Sequence, residues 1–284
     1  MEPVASIGLS IVIPIYNEVE NLPRLIAALR QALDAIDMNS EIVFVDDGST
    51  NGSFDLLAEL LASATWAKLI QLRRNYGQTA AFSVGFAHAR GAVIVTMDAD
   101  LQNDPNDIPR LLARMNEGYD VVSGWRVNRQ DAFLSRKLPS RLANALISRV
   151  TGVSVHDRGC SLRAYRREII EDIHLYGELH RFIPDLAALV GARMVEMPVA
   201  HRPRTLGKSK YGIGRTGRVL LDLMTVRFLQ GYSTRPMHIF GRGGLILAGA
   251  GLAFALWLTY LKLVLGQSIG GRPLLTLSVL LLLM

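Results

Sequence analysis

Two carboxylates one residue apart, Asp98 and Asp100, follow an apolar run at residues 93–97. An apolar, β-branched run of this kind predicts a buried strand that emerges at Asp98. If the chain stays extended across the two acids, the alternation of side chains puts both carboxylates on one face. Two hard oxygen donors on one face suit Mg²⁺ or Mn²⁺. The alternative is that the two acids simply end the strand in solvent.

A second acidic pair, Asp46 and Asp47, follows another apolar run and precedes Gly48 and Ser49. Carboxylates at the end of a strand can accept hydrogen bonds from a ribose or from the N–H of a base, and the glycine lets backbone approach a ligand. An Asx-type turn into the next helix is the alternative. The chain has neither a GxGxxG after its first strand nor a GxxxxGK[ST], which excludes the dinucleotide fingerprint and the P-loop. Gln102 also differs from the Thr or Val of haloacid-dehalogenase phosphatases.

Strand and helix patterns alternate along the first two hundred residues. Apolar runs predict strands at 9–15, 41–45, 67–72, 93–97, 119–123 and 193–199, and helical spacing predicts helices at 21–36, 53–62, 79–89, 107–115, 142–150 and 182–190, with residues 157–166 irregular or a short strand. This alternation predicts an α/β domain with a mostly parallel sheet flanked by helices. Ligands of such sheets bind at the carboxyl ends of the strands, where both acidic pairs lie.

The composition points to a basic protein with a membrane segment. The 284 residues carry a formal charge of +6, and the sequence pI is near 9.7. A basic chain suits anionic phosphates or an anionic membrane surface. Because the apolar residues concentrate after about position 239, we expect a bilayer as partner and no nucleic acid. The single cysteine, Cys160, excludes an internal disulfide and a cysteine zinc site, which fits a cytoplasmic catalytic domain.

The C-terminal region is expected to hold the chain at a membrane. Residues 211–231 mix arginines with apolar residues, which suits an amphipathic helix lying on a bilayer. Residues 244–265 are long and apolar enough to span it, and residues 273–284 look like a second span that is truncated. Arg235 and Arg242 favour a cytoplasmic N-terminal side.

These features predict three regions in a multi-pass membrane protein with a cytoplasmic catalytic domain. The catalytic domain covers residues 1–210, an amphipathic juxtamembrane segment covers 211–240, and a transmembrane region covers 241–284.

Basic side chains in irregular stretches are candidates for phosphate contacts, because a planar guanidinium can hold a phosphate through two hydrogen bonds. They are Arg126, Arg129, Arg136, Arg202, Arg204 and Lys210. Arg202 and Lys210 are the strongest candidates, since Gly207 lets the segment at residues 201–210 close over a ligand. The alternative is that such a basic run faces solvent or lipid headgroups.

Several motifs in order carry a resemblance to a known family. The segments at 13–18 (IPIYNE), 45–49 (VDDGS), 74–78 (RNYGQ) and 98–102 (DADLQ) resemble the GT-A glycosyltransferases of family 2, which have a Rossmann-like fold. The segments at 159–165 (GCSLRAY), 180–184 (HRFIP), 201–204 (HRPR) and 207–211 (GKSKY) are similar to the polyisoprenyl-phosphate glycosyltransferases, the group that includes dolichol-phosphate mannose synthase.

The resemblance implies roles for the matching residues. Those implied to contact the nucleotide or its sugar donor are Pro14, Tyr16, Glu18, Asp46, Asp47, Asp98 and Lys210. Those implied to bind the divalent ion are Asp98, Asp100 and Gln102. Those implied to act in catalysis are Asp157, Asp100, Arg126 and Arg202. Asp157 is a candidate base or acceptor orienter, and the alternative is that it only pins the neighbouring loop.

The resemblance further implies an inverting, metal-dependent transfer of one sugar from a nucleotide diphosphate sugar to a polyprenyl phosphate at the cytoplasmic membrane face. A UDP-sugar is favoured, GDP-mannose stays open, and the acceptor is undecaprenyl or dolichyl phosphate. Homo-oligomerisation is also left open. A processive polysaccharide synthase is a rival, but the chain lacks a QxxRW motif. A catalytically silent adaptor would be expected to lose Asp98, Asp100 or Asp157, and all three are present.

Overall fold

The computed structural model describes residues 7–127, 138–203, 216–232 and 235–283. Within them, seven strands form one sheet in the order β3-β2-β1-β4-β6-β5-β7. The strands are β1 (Leu9–Ile15), β2 (Ser40–Asp46), β3 (Ala67–Gln71), β4 (Val93–Thr96), β5 (Val121–Trp125), β6 (Arg163–Arg166) and β7 (Met194–Pro198). The helices are α1 (Leu22–Asp34), α2 (Ser53–Leu60), α3 (Gln78–His88), α4 (Ile108–Asn116), α5 (Leu138–Thr151), α6 (Arg167–Glu171), α7 (Ile183–Leu189), α8 (Thr216–Tyr232), α9 (Met237–Leu263) and α10 (Pro273–Leu283).

The strand directions confirm the predicted mostly parallel α/β sheet, with one exception. β1 pairs in parallel with both β2 and β4, and β2 pairs in parallel with β3. β6 runs antiparallel to its neighbours β4 and β5, whereas β5 and β7 are parallel. All strands except β6 therefore end at the same edge of the sheet, which we call the carboxyl edge. The opposite edge is the amino edge.

The core lies between the sheet and its helices. Strand β1 is buried along nearly its whole length, as expected for a central strand covered on both faces. Helix α1 buries Leu22, Leu25 and Leu29 at helical spacing, with Pro23 in its first turn. Helix α3 approaches β1 so closely that a Cβ added at Gly85 would lie 2.2 Å from Val12 Cγ1. Helix α3 therefore packs directly against the sheet.

A buried ionic cluster fastens the amino edge. Glu41 is 3% exposed and accepts hydrogen bonds from Ser10 Oγ at 2.8 Å and Arg90 Nη2 at 2.8 Å. Lys68 Nζ lies 3.1 Å from the same carboxylate. Burial alone would raise the pKa of Glu41, but hydrogen bonds from the Arg90, Ser10 and Lys68 side chains lower it to about 2. The first three strands and the segment after α3 are therefore joined at this edge.

The chain divides into two compact units, Met1–Val226 and Arg227–Met284. In the second unit, α9 is long and apolar enough to cross a membrane, and it is the one such helix among the described residues. It begins earlier than the predicted span at 244–265. Helix α10 is shorter, at 11 residues. A Cβ at Gly251 would lie 2.9 Å from the backbone oxygen of Ser278, so α9 and α10 pack in close contact at this position.

Candidate active site at the carboxyl edge of the sheet

The topology brings most of the predicted site residues to the carboxyl edge. The segments after β1, β2, β4, β5 and β7 begin there, and the segment before β6 ends there, because β6 runs the opposite way. The described residues concerned are Pro14, Tyr16, Glu18, Asp46, Asp47, Asp98, Asp100, Gln102, Arg126, Asp157 and Arg202. Lys210, Arg129, Arg136 and Arg204 lie outside the residues that the structure describes.

Hydrogen bonds fix the segments that follow β1 and β2 against each other. Asn17 has a positive φ of 53°, and its backbone N–H donates to Ser49 Oγ at 2.9 Å. The N–H of Glu18 donates to Ser53 Oγ at 2.9 Å. The Glu18 carboxylate accepts from Asn21 Nδ2 at 2.6 Å, at the start of α1. The backbone that carries Glu18 is therefore positioned by the neighbouring β2 segment.

Asp46 is buried and only half satisfied. Its Oδ2 accepts a hydrogen bond from the Ser49 N–H at 3.1 Å, whereas its Oδ1 has no hydrogen-bond partner among the described residues. A buried acceptor left unpaired costs about 1–3 kcal/mol. Pro14 and Tyr16 are half-buried at the end of β1, the strand beside β2. The free oxygen of Asp46 is suited to the N–H of a base or to a ribose hydroxyl.

Asp47 holds a neighbouring loop. Its two carboxylate oxygens accept from the backbone N–H groups of Tyr76 at 2.7 Å and Gly77 at 2.9 Å. Burial raises the pKa of Asp47, the two backbone hydrogen bonds offset part of this effect, and the charge of Asp46 adds to it. The direct donor contact of Asp47 stays a prediction. The two backbone hydrogen bonds indicate an indirect role, in which Asp47 fixes the loop before α3.

Gly48 makes that close loop approach possible. It has a φ of +67°, and a Cβ there would lie 2.4 Å from the backbone carbon of Arg74 and 2.7 Å from the backbone nitrogen of Asn75. Both the backbone conformation and the space therefore require glycine at this position.

The acidic pair after β4 lies in a turn. β4 ends at Thr96, residues 99–100 form a turn, and Leu101 has a φ of +59°. The condition that the chain stays extended across Asp98 and Asp100 is therefore not met, because β4 ends before it reaches them. Asp98 is half-buried and Asp100 is buried. The Asp100 carboxylate accepts from the Gln102 backbone N–H at 3.1 Å, as in an Asx turn.

The carboxylates of Asp98 and Asp100 fit a divalent cation that takes its other ligands from a substrate and water. Among the residues that the structure describes, no group of three or more His, Cys, Asp or Glu side chains could hold a metal ion. The chain thus offers the two carboxylates of Asp98 and Asp100 at the end of β4. Magnesium sites are commonly built from one or two carboxylates plus the phosphate oxygens of a substrate and water. The metal role of the Gln102 side chain stays a prediction.

Arg126 and Asp157, for which the sequence suggested separate roles, form one buried pair. Arg126 Nε donates to Asp157 Oδ2 at 2.6 Å, and Nη2 donates to Oδ1 at 2.9 Å. Burial would lower the pKa of Arg126, but the bonds and charge of Asp157 raise it well above its usual range, and the charge of Asp98 adds to this. Asp157 also accepts from the Gly159 N–H at 3.2 Å. These contacts pin the loop of Asp157, and its role as a base or an acceptor orienter stays a prediction.

The loop of Asp157 is braced on two sides. Glu196 accepts from the His156 backbone N–H at 2.9 Å, and His156 Nδ1 lies 2.6 Å from the second carboxylate oxygen of Glu196. The His156 ring stacks on Trp125 with 4.4 Å between ring centroids. On the other side, Arg158 Nε and Nη2 donate to the fully buried Asp185 at 3.1 and 3.0 Å. The backbone around Asp157 is therefore fixed before any ligand binds.

Arg202 is joined to the loop after β4. Its guanidinium forms an ion pair with Asp104, and its backbone N–H donates to the Gln102 oxygen at 2.9 Å. Asn103 and His201 form an isolated antiparallel bridge beside it. Arg202 thus lies at the carboxyl edge, as expected, but the ion pair with Asp104 already offsets part of its positive charge.

Sequence reasoning assigned no role to several residues that support these side chains. Gln78 Nε2 donates to Asp98 Oδ1 at 2.7 Å, and the next residue, Thr79, is hydrogen-bonded to His180 Nδ1 at 2.7 Å. Ser161 Oγ accepts from the Asp98 backbone N–H at 3.2 Å. Single polar residues leave no periodic signal in a sequence, so only the fold brings them to the site.

Comparisons with known proteins identify the family. A model described as glycosyl transferase family 2 matches residues 10–174. A dodecaprenyl-phosphate galacturonate synthase from Rhizobium johnstonii is 45% identical over 286 residues, covering 99% of this chain and 85% of the relative. An undecaprenyl-phosphate 4-deoxy-4-formamido-L-arabinose transferase from Aeromonas hydrophila is 41% identical, covering 90% of this chain and 77% of the relative. The resemblance predicted from the motifs is confirmed.

Solved structures confirm the predicted GT-A fold. A glucosyl-3-phosphoglycerate synthase from Mycobacterium tuberculosis, in complex with Mn²⁺, UDP and glucosyl-3-phosphoglycerate, matches with a TM-score of 0.56 at 18% identity and covers 79% of this chain and 80% of its own. The same enzyme in complex with Mg²⁺ and UDP matches with a TM-score of 0.56 at 17% identity and covers 78% of this chain and 79% of its own. At this identity the likeness concerns the fold.

Proposed function

Because the chain belongs to glycosyl transferase family 2, we propose that it transfers a single sugar from a nucleotide diphosphate sugar to a polyprenyl phosphate. The observation that carries this proposal is the carboxyl edge itself. There, the buried and unpaired oxygen of Asp46 shares one sheet edge with the β4 carboxylates and the Arg126–Asp157 pair. Both named relatives, whose names pair a polyprenyl phosphate with a sugar, support this acceptor class.

The donor is a UDP-sugar. Asp46 Oδ1 accepts the N–H of the base or a ribose hydroxyl, and Pro14, Tyr16 and Glu18 border the base. The structural neighbours that bind UDP support this choice. Asp47 acts by holding the loop at Tyr76 and Gly77 in place.

The diphosphate lies over the loop after β4. Asp98 and Asp100, with Gln102 as a third donor, would hold a Mg²⁺ or Mn²⁺ ion there. When bound, such an ion supplies positive charge that stabilises the diphosphate as a leaving group. The metal-bound neighbours of the same fold support this assignment. Gln78 orients Asp98 through its hydrogen bond to Oδ1.

The reaction is a single displacement. An oxygen of the acceptor phosphate attacks the anomeric carbon, the bond from that carbon to the donor diphosphate breaks, and the nucleoside diphosphate leaves with the electron pair. The configuration at the anomeric carbon is inverted. Because the acceptor phosphate is already anionic near neutral pH, alignment matters more than deprotonation.

Arg126 and Asp157 provide that alignment. Asp157 accepts from Nε and Nη2 of Arg126, and the N–H groups that this pair does not use are assigned to the acceptor phosphate. Arg202 adds positive charge, and Lys210, which lies outside the described residues, is assigned the same role. The resulting contacts fix the acceptor oxygen opposite the leaving group.

The membrane delivers the acceptor. Helix α9 anchors the chain, with the catalytic unit on the cytoplasmic side, and α10 accompanies it as part of a multi-pass anchor. The length and apolar composition of α9 support its role as an anchor. A lipid phosphate then reaches the site by diffusion within the bilayer plane.

The proposal is tested with the full chain in liposomes that contain undecaprenyl phosphate and Mn²⁺. Radiolabelled UDP-galacturonate, UDP-4-deoxy-4-formamido-L-arabinose, UDP-glucose and GDP-mannose are added one at a time. We expect one UDP-sugar to give label in the organic phase, with one sugar per lipid. No lipid-linked label from any donor, or products with many sugars per lipid, would contradict the proposal.

Two controls separate catalysis from damage to the fold. Glu117→Gln removes an exposed carboxylate that pairs with Arg114 and should leave the rate unchanged. Removal of Mn²⁺ with a chelator should abolish transfer, and addition of excess Mg²⁺ or Mn²⁺ should restore it. A full rate in the chelator would refute the metal assignment.

A further inference from the structure

One serine at the carboxyl edge joins two segments of the candidate site. Ser161 lies just before β6, and its Oγ accepts hydrogen bonds from the Asp98 backbone N–H at 3.2 Å and from Asn103 Nδ2 at 2.9 Å. Its backbone oxygen accepts from Thr96 Oγ1 at 2.6 Å. Three contacts from residues 96–103 therefore converge on one residue of another segment.

The contacts of Ser161 begin where the hydrogen bonds between β4 and β1 end. Met97 directly follows β4, and its N–H donates to the Val12 oxygen of β1 at 3.2 Å. The next N–H, that of Asp98, goes to Ser161 instead. Beyond it the chain turns, with Leu101 at a φ of +59°. Ser161 thus fixes the peptide from which the Asp98 carboxylate projects.

The partner of Ser161 on the far side of this turn is held at an energetic cost. Asn103 is 4% exposed, and its Oδ1 has no hydrogen-bond partner among the described residues. A buried amide that is half satisfied costs about 1–3 kcal/mol compared with a fully paired one. Proteins tolerate such local costs mostly at functional sites. This cost indicates that the Asn103–Ser161 contact belongs to a functional site.

Ser161 is also tied to the Arg126–Asp157 pair. It directly follows Cys160, whose N–H donates to the Asp157 backbone oxygen at 3.3 Å. The oxygen of the next residue, Leu162, accepts from the Gly124 N–H at 2.9 Å, close to the end of β5. The residue that holds Asp98 is therefore anchored to the segments that carry Asp157 and Arg126.

We propose that Ser161 is a positioning residue that holds the Asp98 carboxylate in place for the divalent cation. It touches neither substrate nor reacting atoms, and it acts through the backbone of Asp98. This inference rests on the proposed function, because it assumes that Asp98 binds the cation of a nucleotide donor.

The test measures cation affinity directly. The full chain in detergent is titrated with Mn²⁺ in the presence of saturating UDP, and free Mn²⁺ is followed by electron paramagnetic resonance. Ser161→Ala removes the oxygen that accepts from Asp98, so we expect its Kd for Mn²⁺ to rise about tenfold, which corresponds to about 1.4 kcal/mol. Ser161→Thr keeps the hydroxyl and should stay within about twofold of the wild type. Raising the Mn²⁺ concentration should restore much of the transfer rate of Ser161→Ala.

Ser10 provides a matched control at the amino edge. Its Oγ is also a hub, which donates to Glu41 at 2.8 Å and accepts from the Gly91 N–H at 2.7 Å. Ser10→Ala should lower the melting temperature and leave the Kd for Mn²⁺ unchanged. Should Ser161→Ala not fold, Ser161→Cys, which has similar size and a weaker acceptor, replaces it in the same titration.

The outcomes separate the two proposals. If the wild type binds Mn²⁺ and Ser161→Ala binds it equally well, Ser161 is merely structural and this inference is wrong, whereas the proposed function stands. If the wild type with UDP binds no Mn²⁺, the metal-dependent function falls, and this inference falls with it. A raised Kd in Ser161→Ala that Ser161→Thr does not share supports the inference.

Discussion

Buried carboxylates lie at both ends of strand β2, and two of them, Glu41 and Asp47, differ in almost every respect except burial. Glu41, at the amino edge, and Asp47, just past the carboxyl edge, are each 3% exposed. Cationic side chains surround Glu41 and lower its pKa to about 2. Asp47 has two backbone N–H partners and the like charge of Asp46 beside it, and its pKa is raised. One edge of the sheet is built for stability, and the other is left ready for a ligand.

The same contrast extends to the neighbouring residues. At the amino edge, the hydroxyl of Ser10 and both oxygens of Glu41 have several partners. At the carboxyl edge, Asp46 and Asn103 each keep a buried oxygen without a partner among the described residues. Positive φ angles at Asn17 and Leu101 add backbone strain there. A ligand that brings N–H groups, hydroxyls and a cation would satisfy this edge.

The largest expected effect comes from the carboxyl edge. Asp98→Asn should lower the transfer rate by about 10²-fold or more, because under the proposed function it removes a charge that would hold the cation on the donor diphosphate. The melting temperature should stay near that of the wild type, since Gln78 keeps an acceptor on the new amide. Rates with labelled donor and thermal melts would check both. A folded variant with wild-type activity would remove Asp98 from the site.

At the amino edge, we expect a substitution to lower stability and to leave activity unchanged. Glu41→Gln removes the charge that Arg90 and Lys68 surround, and we expect the free energy of unfolding to fall by about 3 kcal/mol, with a melting temperature about 6 °C or more lower. Activity measured well below that temperature should be retained. Glu117→Gln, which breaks an exposed pair with Arg114, should cost under about 1 kcal/mol. Equal losses from the two variants would contradict the special role of the buried cluster.

A smaller effect is expected at Asp46. Asp46→Asn retains an oxygen for the Ser49 N–H and replaces the unpaired acceptor with an amide donor. The Kd for UDP, measured by calorimetry, should rise about tenfold, equivalent to about 1.4 kcal/mol. Stability should hold or increase slightly, because a buried charge is removed. A loss of stability without a change in UDP affinity would show that the unpaired oxygen has no ligand role.

The smallest effect is a difference in pH dependence. Because the pKa of Glu41 is lowered from about 4.5 to about 2, its contribution to stability is present above about pH 4.5 and is lost as the pH falls toward 2. Asp47 has the opposite sign, since its raised pKa makes its contribution largest at low pH and lost as the pH rises. In thermal melts at acidic pH, the melting temperature of the wild type should fall toward that of Glu41→Gln. It should rise relative to that of Asp47→Asn. Parallel pH profiles for both variants would contradict the comparison.

The sequence predicts the elements of this fold well and their contacts poorly. Strand β1 is observed where the apolar run predicts it, and the predicted helices occur with ends shifted by a few residues. Hydrophobic periodicity is local, so it can be read from the chain. The reversed direction of β6 depends on pairing with β4, which lies some seventy residues earlier in the chain, and no local pattern encodes it.

The candidate site shows the same division. The acids Asp46 and Asp98 were identifiable because charges after apolar runs are conspicuous at strand ends. The pairing of Arg126 with Asp157 was not, because it joins residues 31 positions apart that only the fold brings together. The Asp98 N–H likewise bonds to the hydroxyl of Ser161, 63 positions further along the chain, where the strand hydrogen bonds end. Long-range contacts of single polar residues decide these details.

Gly48 and Gly52 should differ in the substitutions that they tolerate. Both have a positive φ, but a Cβ at Gly48 would collide with the backbone at Arg74, whereas a Cβ at Gly52 would meet nothing within 4 Å. In a library of random variants selected for sugar transfer, position 48 should therefore return glycine alone. Position 52 should also admit asparagine and aspartate, which tolerate the left-handed conformation. Two glycines four residues apart would then differ as widely in mutational tolerance as a site residue and a surface turn.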